Sequence, residues 1–418
     1  MPTYLKPKPN ITGEDFMTTL LSLSTKAPTA ATRSEVELLL CCARTHIDSE
    51  IAERIRTLLQ QDIDWAYLIQ TAAQHGIIPL LYQSLNTTCP EAVPKANLAQ
   101  LRNYFHTNAQ RNLFLTKELL KLLTLFKANG ITVIPYKGPV LAVAVYGNLA
   151  LRQFCDLDIL VHKRDVLRAK DLLISQGYRT FSLTLAQSAM HLQSENEEGF
   201  KHHKTEVSVD LHWAITRRYF CFPIEIETLW ERLEPVSLAG TTVFNFSPED
   251  LLLILCMHGA AHRWERLGWI CDVAQLISVH QRLNWEWVME QAKTLNSVRV
   301  LFLGLFLVND LFGTLLPEEV LLLMQTDPVA KALATQVQKR LFYNSDETSS
   351  LFERYLFHIK MRERLQERIK YCLFVMTPNV RDLLFVPLPI YLSFLYYLVR
   401  PIRLFGKYGL SSLKRYLG

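Results

Sequence analysis

Two aspartates one residue apart, Asp156 and Asp158, sit in the stretch RQFCDLDILV. The run around them is short and apolar, as in a strand. Strand side chains alternate faces, so both carboxylates point the same way, roughly 7 Å apart along the backbone. Like charges so placed are suited to divalent cations. Mg²⁺ takes oxygen ligands, commonly one or two carboxylates plus phosphate oxygens. Two such ions about 4 Å apart can clamp the attacking and leaving oxygens of a phosphoryl or nucleotidyl transfer. A site of this kind needs a third carboxylate from another strand, and VSVDLHW offers Asp210. It also needs a phosphate-binding turn, and YKGPVL offers Lys137, Gly138 and a helix start. Glycine lets a phosphate approach the backbone, and the free N–H groups of a first helical turn favour anions. Arg152, just upstream of the pair, suits a further phosphate oxygen.

Each of these residues has a plainer reading. An isolated Asp-x-Asp is commonly a solvated strand end, and Asp210 can simply terminate a strand. Lys137 can be a surface lysine, and Arg152 a structural partner for Asp156 or Asp158. His212 shares a strand face with Asp210, where it either orients that carboxylate, contacts substrate or bonds to backbone. His258 and His262 lie one helical turn apart, a spacing zinc can use. No Glu follows His258, so the HExxH pattern is absent. Packing against the sheet is the main reading for these two, with Asp272 on the next helix as a candidate partner and a role in walling a cleft.

The elements that must position these groups can be read around them. The first 130 residues have helical spacing, with two helices meeting near Gly76 and Pro79 and a long one running from about Asn97 to Ala128, stopped by Asn129-Gly130. The texture then changes. ITVIPYK reads as a strand, GPVLAVAVYG as a helix with Pro139 at its first position, DLDILV as a strand, and KRDVLRAKDLLISQ as a helix ended by Gly177. YRTFSL and, after a polar loop, EVSVDLHW complete a β-α-β-α-β-β order, a small mixed sheet. TTVFNF adds a strand. Ser247 as N-cap and Pro248 then open a region that reads as helix to about residue 375. The boundaries expected are 1–129 for a helical segment, 130–246 for the α/β core, 247–375 for a helical domain and 376–418 for an apolar and basic tail. The fold class is α+β.

Bulk properties narrow the function. Of 418 residues, 49% are hydrophobic and 20% charged, which fits a folded globular chain. A net charge of +5 is too slight to signal nucleic acid. Eight cysteines without a CxxC pair suit a reducing cytoplasm and no zinc site. MPTYLKPKPNITGEDF lacks the apolar core of a signal peptide. Leu383–Val399 is uncharged but at the short limit for a membrane span, and Pro387 and Pro389 interrupt it. With the basic helix HIKMRERLQERIK before it and Arg400, Arg403, Lys407, Lys414 and Arg415 after it, peripheral contact with anionic lipid is one reading. A helical hairpin packed on the core, or an oligomer interface, are the others.

The ordered set Lys137-Gly138, Tyr146-Gly147, Arg152, Asp156-x-Asp158, Gly177-Tyr178 and Asp210-Leu211-His212-Trp213, followed by His258, His262, Trp264 and Asp272, resembles a bacterial family of uncharacterised nucleotidyltransferases within the DNA polymerase β-like superfamily. The resemblance covers roughly residues 35 to 300. It implies that Asp156, Asp158 and Asp210 bind Mg²⁺ or Mn²⁺, with Asp210 also a candidate general base, and that Lys137, Gly138 and Arg152 contact the nucleotide. One departure stands out: the superfamily commonly has Gly-Ser or Gly-Gly at the turn, whereas Pro139 here has neither hydroxyl nor N–H. The expected reaction is metal-dependent transfer of a nucleoside monophosphate from an NTP to an unknown acceptor, with pyrophosphate released. The alternatives are an inactive nucleotidyltransferase scaffold acting as a binding or adaptor protein, and a toxin-type enzyme that modifies RNA or protein.

Overall fold

The computed structural model describes residues 33–180, 196–215, 226–342, 351–378, 382, 385–386 and 390–403. Outside them lie the N-terminal stretch read above for a signal, the second half of YRTFSL, Cys221, part of Leu383–Val399, and Lys407, Lys414 and Arg415.

Five strands form one mixed sheet. They are β1 (Val133–Tyr136), β2 (Asp156–Val161), β3 (Tyr178–Thr180), β4 (Glu197–His202) and β5 (Ser208–His212), in the order β1-β2-β5-β4-β3. β2 and β5 run parallel, and the other pairs are antiparallel. β6 (Glu234–Leu238) and β7 (Thr241–Asn245) make a separate hairpin. The fold is α+β.

Two strands in this arrangement were not expected. The sequence of β4, EEGFKH, carries no hydrophobic alternation and by itself reads as loop. Glu198 is nevertheless buried, held by Lys170 Nζ at 2.5 Å and by the Thr180 hydroxyl at 2.5 Å. A paired charge occupies the place of an apolar side chain, which hides the period-two signal. β6 carries Pro235, which argues against a strand. It is joined to β7 through Ala239 and Gly240, both with positive φ, the conformation of a two-residue hairpin turn.

Helices cover both faces of the sheet. On one face, Leu157, Ile159, Val161, Val209, Leu211 and Phe200 pack with Leu115, Leu119, Leu122 and Phe126 of the long helix Lys95–Ala128 and with Val166, Ala169 and Leu173 of the helix Val166–Ser175. On the other, Ile134, Tyr136 and Leu160 join a larger core that runs through the N-terminal helices and those after Ser247. Ser247 caps the helix Pro248–Ala261 as expected, its hydroxyl accepting from the Asp250 N–H at 3.3 Å. Trp264, fully buried, fills the space beside Gly259, where a Cβ would lie 2.5 Å from its ring. A small residue is needed there, which accounts for the HGAAHRW pattern.

Among the described residues, no helix is long and apolar enough to cross a membrane. The described part of Leu383–Val399 contains the 3₁₀ segment Ile390–Leu395. Nearby Phe394, Tyr397, Leu398 and Ile402 are exposed. Asp382 is buried between Arg400 at 2.8 Å and Arg403 at 2.6 Å.

Candidate active site

The sheet register assembles the acids. Asp158 on β2 is paired with Asp210 on β5, and Asp156 with Ser208. Partners in register share a face, so Asp156, Asp158 and Asp210 all point to the same side, with the other face given to core residues. Gly199 lies opposite Asp210 on β4, so no side chain crowds that acid from the neighbouring strand.

His212, two residues beyond Asp210, joins the cluster. Its Nε2 is 3.1 Å from Asp158 Oδ1, and its Nδ1 is 3.4 Å from Glu197 Oε2. Ligand atoms of Asp158, Asp210 and His212 all lie within 4.8 Å of one another, close enough to hold one metal ion. The expected three-acid set is thus partly rearranged. Asp156, one pleat earlier, lines the same cleft but is not one of these three groups, and an imidazole is.

Beside the acids lies the turn between β1 and the helix Gly138–Tyr146. Lys137 has φ 54°, a left-handed conformation that non-glycine residues seldom adopt. Gly138 follows at φ 39°, with its Cβ position 3.4 Å from the Asp156 carbonyl oxygen. The helix N-terminus is therefore brought to the start of β2. Lys137 Nζ reaches back to Asp158 Oδ1 at 3.2 Å.

These contacts set the protonation pattern. Burial alone would raise the Asp158 pKa, but the Lys137 ammonium and the His212 hydrogen bond hold it well below the usual carboxylate range. Asp210 is pushed up to about 6, first by burial and then by the charges of Asp158 and Asp156. Asp156 is raised as well, by burial and by Asp158. A site with two acids raised by crowding is one that a cation would relieve.

Arg152 and Asp272 behave differently from expectation. Arg152 donates from Nε and Nη2 to the two oxygens of Asp272, both at 2.8 Å, and the Tyr146 hydroxyl donates to Asp272 Oδ1 at 2.7 Å. Asp272 thus partners Arg152 and Tyr146, where a histidine had been anticipated, and Arg152 is bound to Asp272 and not to Asp156 or Asp158. Asn112 of the long helix pins the backbone here, donating to the carbonyls of Leu149 at 2.6 Å and Arg152 at 2.8 Å. The segment leading into β2 is therefore fixed from two sides.

His258 and His262 stand in the cleft wall with their rings 4.7 Å apart, each 5.2 Å from the Trp269 ring. Burial pushes the His258 imidazole well below its ordinary value, and Lys137 adds to that. Neither belongs to the cation-competent cluster. The cleft itself encloses about 620 Å³, with Lys137, Gly138, Asp156, Asp158, Asp210 and His212 on one side and His258, His262 and Trp269 on the other. Glu197 and Trp269 were not anticipated. Glu197 was hidden by the missed strand, and Trp269 carried no signal until the helix Leu267–Val279 was seen to face the sheet.

Residues 61–313 match the family described as uncharacterised nucleotidyltransferase. The chain belongs to that family. The match begins after the first helices and extends somewhat beyond the resemblance read from the motifs. Neither a curated protein nor a solved structure gives a significant match. Family membership makes a general nucleotidyltransferase role the frame for the site, and the Asp158–Asp210–His212 cluster has the donor set a metal ion needs.

Proposed function

We propose that this chain transfers a nucleoside monophosphate from an NTP to an acceptor hydroxyl and releases pyrophosphate. The observation that carries this reading is the register. Asp158 and Asp210 stand side by side on parallel strands, with His212 and the Lys137-Gly138 helix N-terminus beside them. In the reaction a bond forms between the acceptor oxygen and the α-phosphorus. The bond from that phosphorus to the bridging oxygen breaks, and pyrophosphate leaves with the electron pair.

Asp158 and Asp210 would hold the cation, Mg²⁺ or Mn²⁺, with Asp156 and His212 completing its surroundings. When bound, such an ion offsets the crowded carboxylates and the charge developing on the phosphate oxygens. Asp210, raised to about 6 by burial and its neighbours, is placed to receive the acceptor proton. Lys137 and the N–H groups at the start of the Gly138–Tyr146 helix face the phosphates, although Pro139 contributes no N–H there. Arg152, its Nε and Nη2 taken by Asp272, is a fixed positive wall rather than a mobile clamp.

The test is label transfer. Purified chain, a cell lysate and Mg²⁺ or Mn²⁺ are incubated with NTPs labelled at the α or the γ phosphorus. Label should pass to an acceptor from the α position only, and not with the Asp158→Asn/Asp210→Asn variant. Transfer from the γ position, or undiminished transfer by that variant, would contradict the proposal. A second reading, a binding protein on a retired scaffold, is favoured by the Lys137 ammonium 3.2 Å from Asp158, a charge already at the carboxylate. It expects nucleotide to bind without label transfer.

A further inference from the structure

We propose that a second cavity beside the cleft is the acceptor pocket, and that the acceptor is a small hydroxyl-bearing anion with an apolar or aromatic body. The inference rests on the nucleotidyltransferase reading above. The cavity encloses about 490 Å³, within the range of pockets that bury small molecules. It shares Arg152, Gln153, Phe154, Cys155, Arg266 and Trp269 with the 620 Å³ cleft. The partition is therefore the few residues that run directly into Asp156. A molecule in the smaller cavity lies next to the carboxylates while the larger cleft is left for a nucleotide.

Charge gives the class of ligand. The acids in the lining are already matched: Asp272 is held by Arg152, and Glu206 is paired with Lys201. Three of the cations are not. Arg111 from the long helix, Lys204 from the β4–β5 turn and Arg266 at the N-cap of the helix Leu267–Val279 line the cavity, and among the described residues none of the three forms an ion pair with a carboxylate. Arg111 and Arg266 both act electrostatically on Cys155, the exposed residue at the lip between the two spaces. Three positive charges from segments far apart in the sequence, with Lys204 and Arg266 exposed, thus line one open-mouthed pocket without carboxylate partners.

Much of the rest of the lining is apolar or aromatic, including Ile78, Pro79, Tyr104, Phe114 and Trp269, with Thr107, Asn108, Gln153 and Thr205 as neutral polar groups. The Arg266 guanidinium lies 5.8 Å from the centre of the Trp269 ring, a combined platform for a flat, negatively charged group. A carboxylate or phosphate would meet the cations, the body would lie on the rings, and a hydroxyl would reach across the Cys155 lip toward Asp156 and Asp158. A pocket of this size suits a small molecule.

The full-length protein is titrated calorimetrically with 4-hydroxyphenyl phosphate, with 4-hydroxyphenylacetate and with neutral 4-ethylphenol, and separately with α,β-methylene-ATP and Mn²⁺. At least one anionic probe should bind saturably, and the two arms tell phosphate from carboxylate preference. The neutral probe should bind about tenfold or more weaker, as expected for losing a charge-assisted hydrogen bond. The Arg111→Ala/Lys204→Ala variant, or Arg111→Gln if that variant does not fold, should lose anion binding by about tenfold and keep nucleotide affinity within about twofold. Asp158→Asn/Asp210→Asn should do the reverse. Absence of saturable binding of both anions at millimolar concentration, or binding that the arginine and lysine changes leave intact, overturns the acceptor pocket. A parallel loss of nucleotide affinity in those variants overturns it too, by assigning the cavity to the nucleotide. If instead Asp158→Asn/Asp210→Asn keeps full nucleotide affinity, the nucleotidyltransferase reading fails while the anion pocket is judged by its own arms.

Discussion

Asp272 and Asp158 are both buried acids, yet their surroundings differ in kind. Asp272 receives two parallel hydrogen bonds from Arg152 and one from Tyr146, so its charge is matched within a closed set. Asp158 has Lys137 and His212 for company but stands beside Asp210 and Asp156, whose pKa values are raised first by burial and then by the neighbouring carboxylates. The first arrangement ties the helix Leu267–Val279 to the sheet side of the cleft. The second leaves an electrostatic demand that folding alone does not meet. A buried acid is therefore no guide to function by itself, and what separates strut from site is whether the charge around it is closed.

Substitution should separate the two most widely. Asp158→Asn/Asp210→Asn should lower label transfer by about 10⁴-fold, since the ligation it removes is worth several kcal/mol in the transition state. Its melting temperature should change little, because relief of the crowded Asp210 charge offsets loss of the Lys137 and His212 contacts to Asp158. Asp272→Asn should give the opposite pattern, with about 3–5 kcal/mol lost in urea unfolding because Arg152 is left buried without its partner. Arg152→Ala combined with Asp272→Asn should cost less than the sum of the two single changes. Equal stability losses at both sites would erase the distinction.

Protonation sharpens it further. Asp210 has its folded-state pKa raised from 3.8 to about 6, so the folded chain binds more protons than the unfolded one in that window. Metal-free stability should therefore fall as pH rises from about 4 to 6, by about 3 kcal/mol for a shift of this size. That contribution should be missing in Asp210→Asn. His75 belongs with the closed groups. Its Nδ1 accepts from the Leu267 N–H at 3.3 Å, which leaves Nε2 to donate to the Leu341 carbonyl at 3.2 Å. Burial lowers its pKa from 6.5 to about 4, so it contributes stability above pH 6.5 that is lost as pH falls toward 4, again about 3 kcal/mol. The two slopes have opposite signs and overlap, so each is read as the difference between wild type and its own variant.

The smallest effect concerns the imidazole. With Nδ1 near Glu197 and Nε2 toward the acids, His212 has the geometry of a carboxylate-supported ligand. His212→Asn should weaken Mn²⁺ binding by about tenfold, Glu197→Gln by less, and Mg²⁺ binding should respond little, since imidazole is a poor ligand for Mg²⁺.

Much of this was legible in the residues themselves. The Asp-x-Asp spacing fixes a shared strand face, the Lys137-Gly138-Pro139 run marks a turn into a helix, and Ser247-Pro248 opens a helix, because each depends on local backbone rules. What escaped notice depended on partners far away. Arg152 and Asp272 are 120 residues apart, and no periodicity links them. His212 could be placed on the face of Asp210, but its approach to Asp158 needed the parallel pairing of β2 and β5. β4 was hidden because Lys170 neutralises Glu198 where a hydrophobic side chain would have shown the pattern. The anion-suited cavity is assembled from three distant segments, and each of its cations reads alone as an ordinary surface charge.

The central claim is that Asp158 and Asp210 together hold a divalent cation for a nucleotide. It is tested most directly by titrating α,β-methylene-ATP with and without Mn²⁺ into the wild-type protein and into Asp158→Asn/Asp210→Asn. The wild type should bind the nucleotide about tenfold or more tightly when Mn²⁺ is present, and the variant should show no such gain. An Mn²⁺-dependent gain of the same size in the variant would contradict the account.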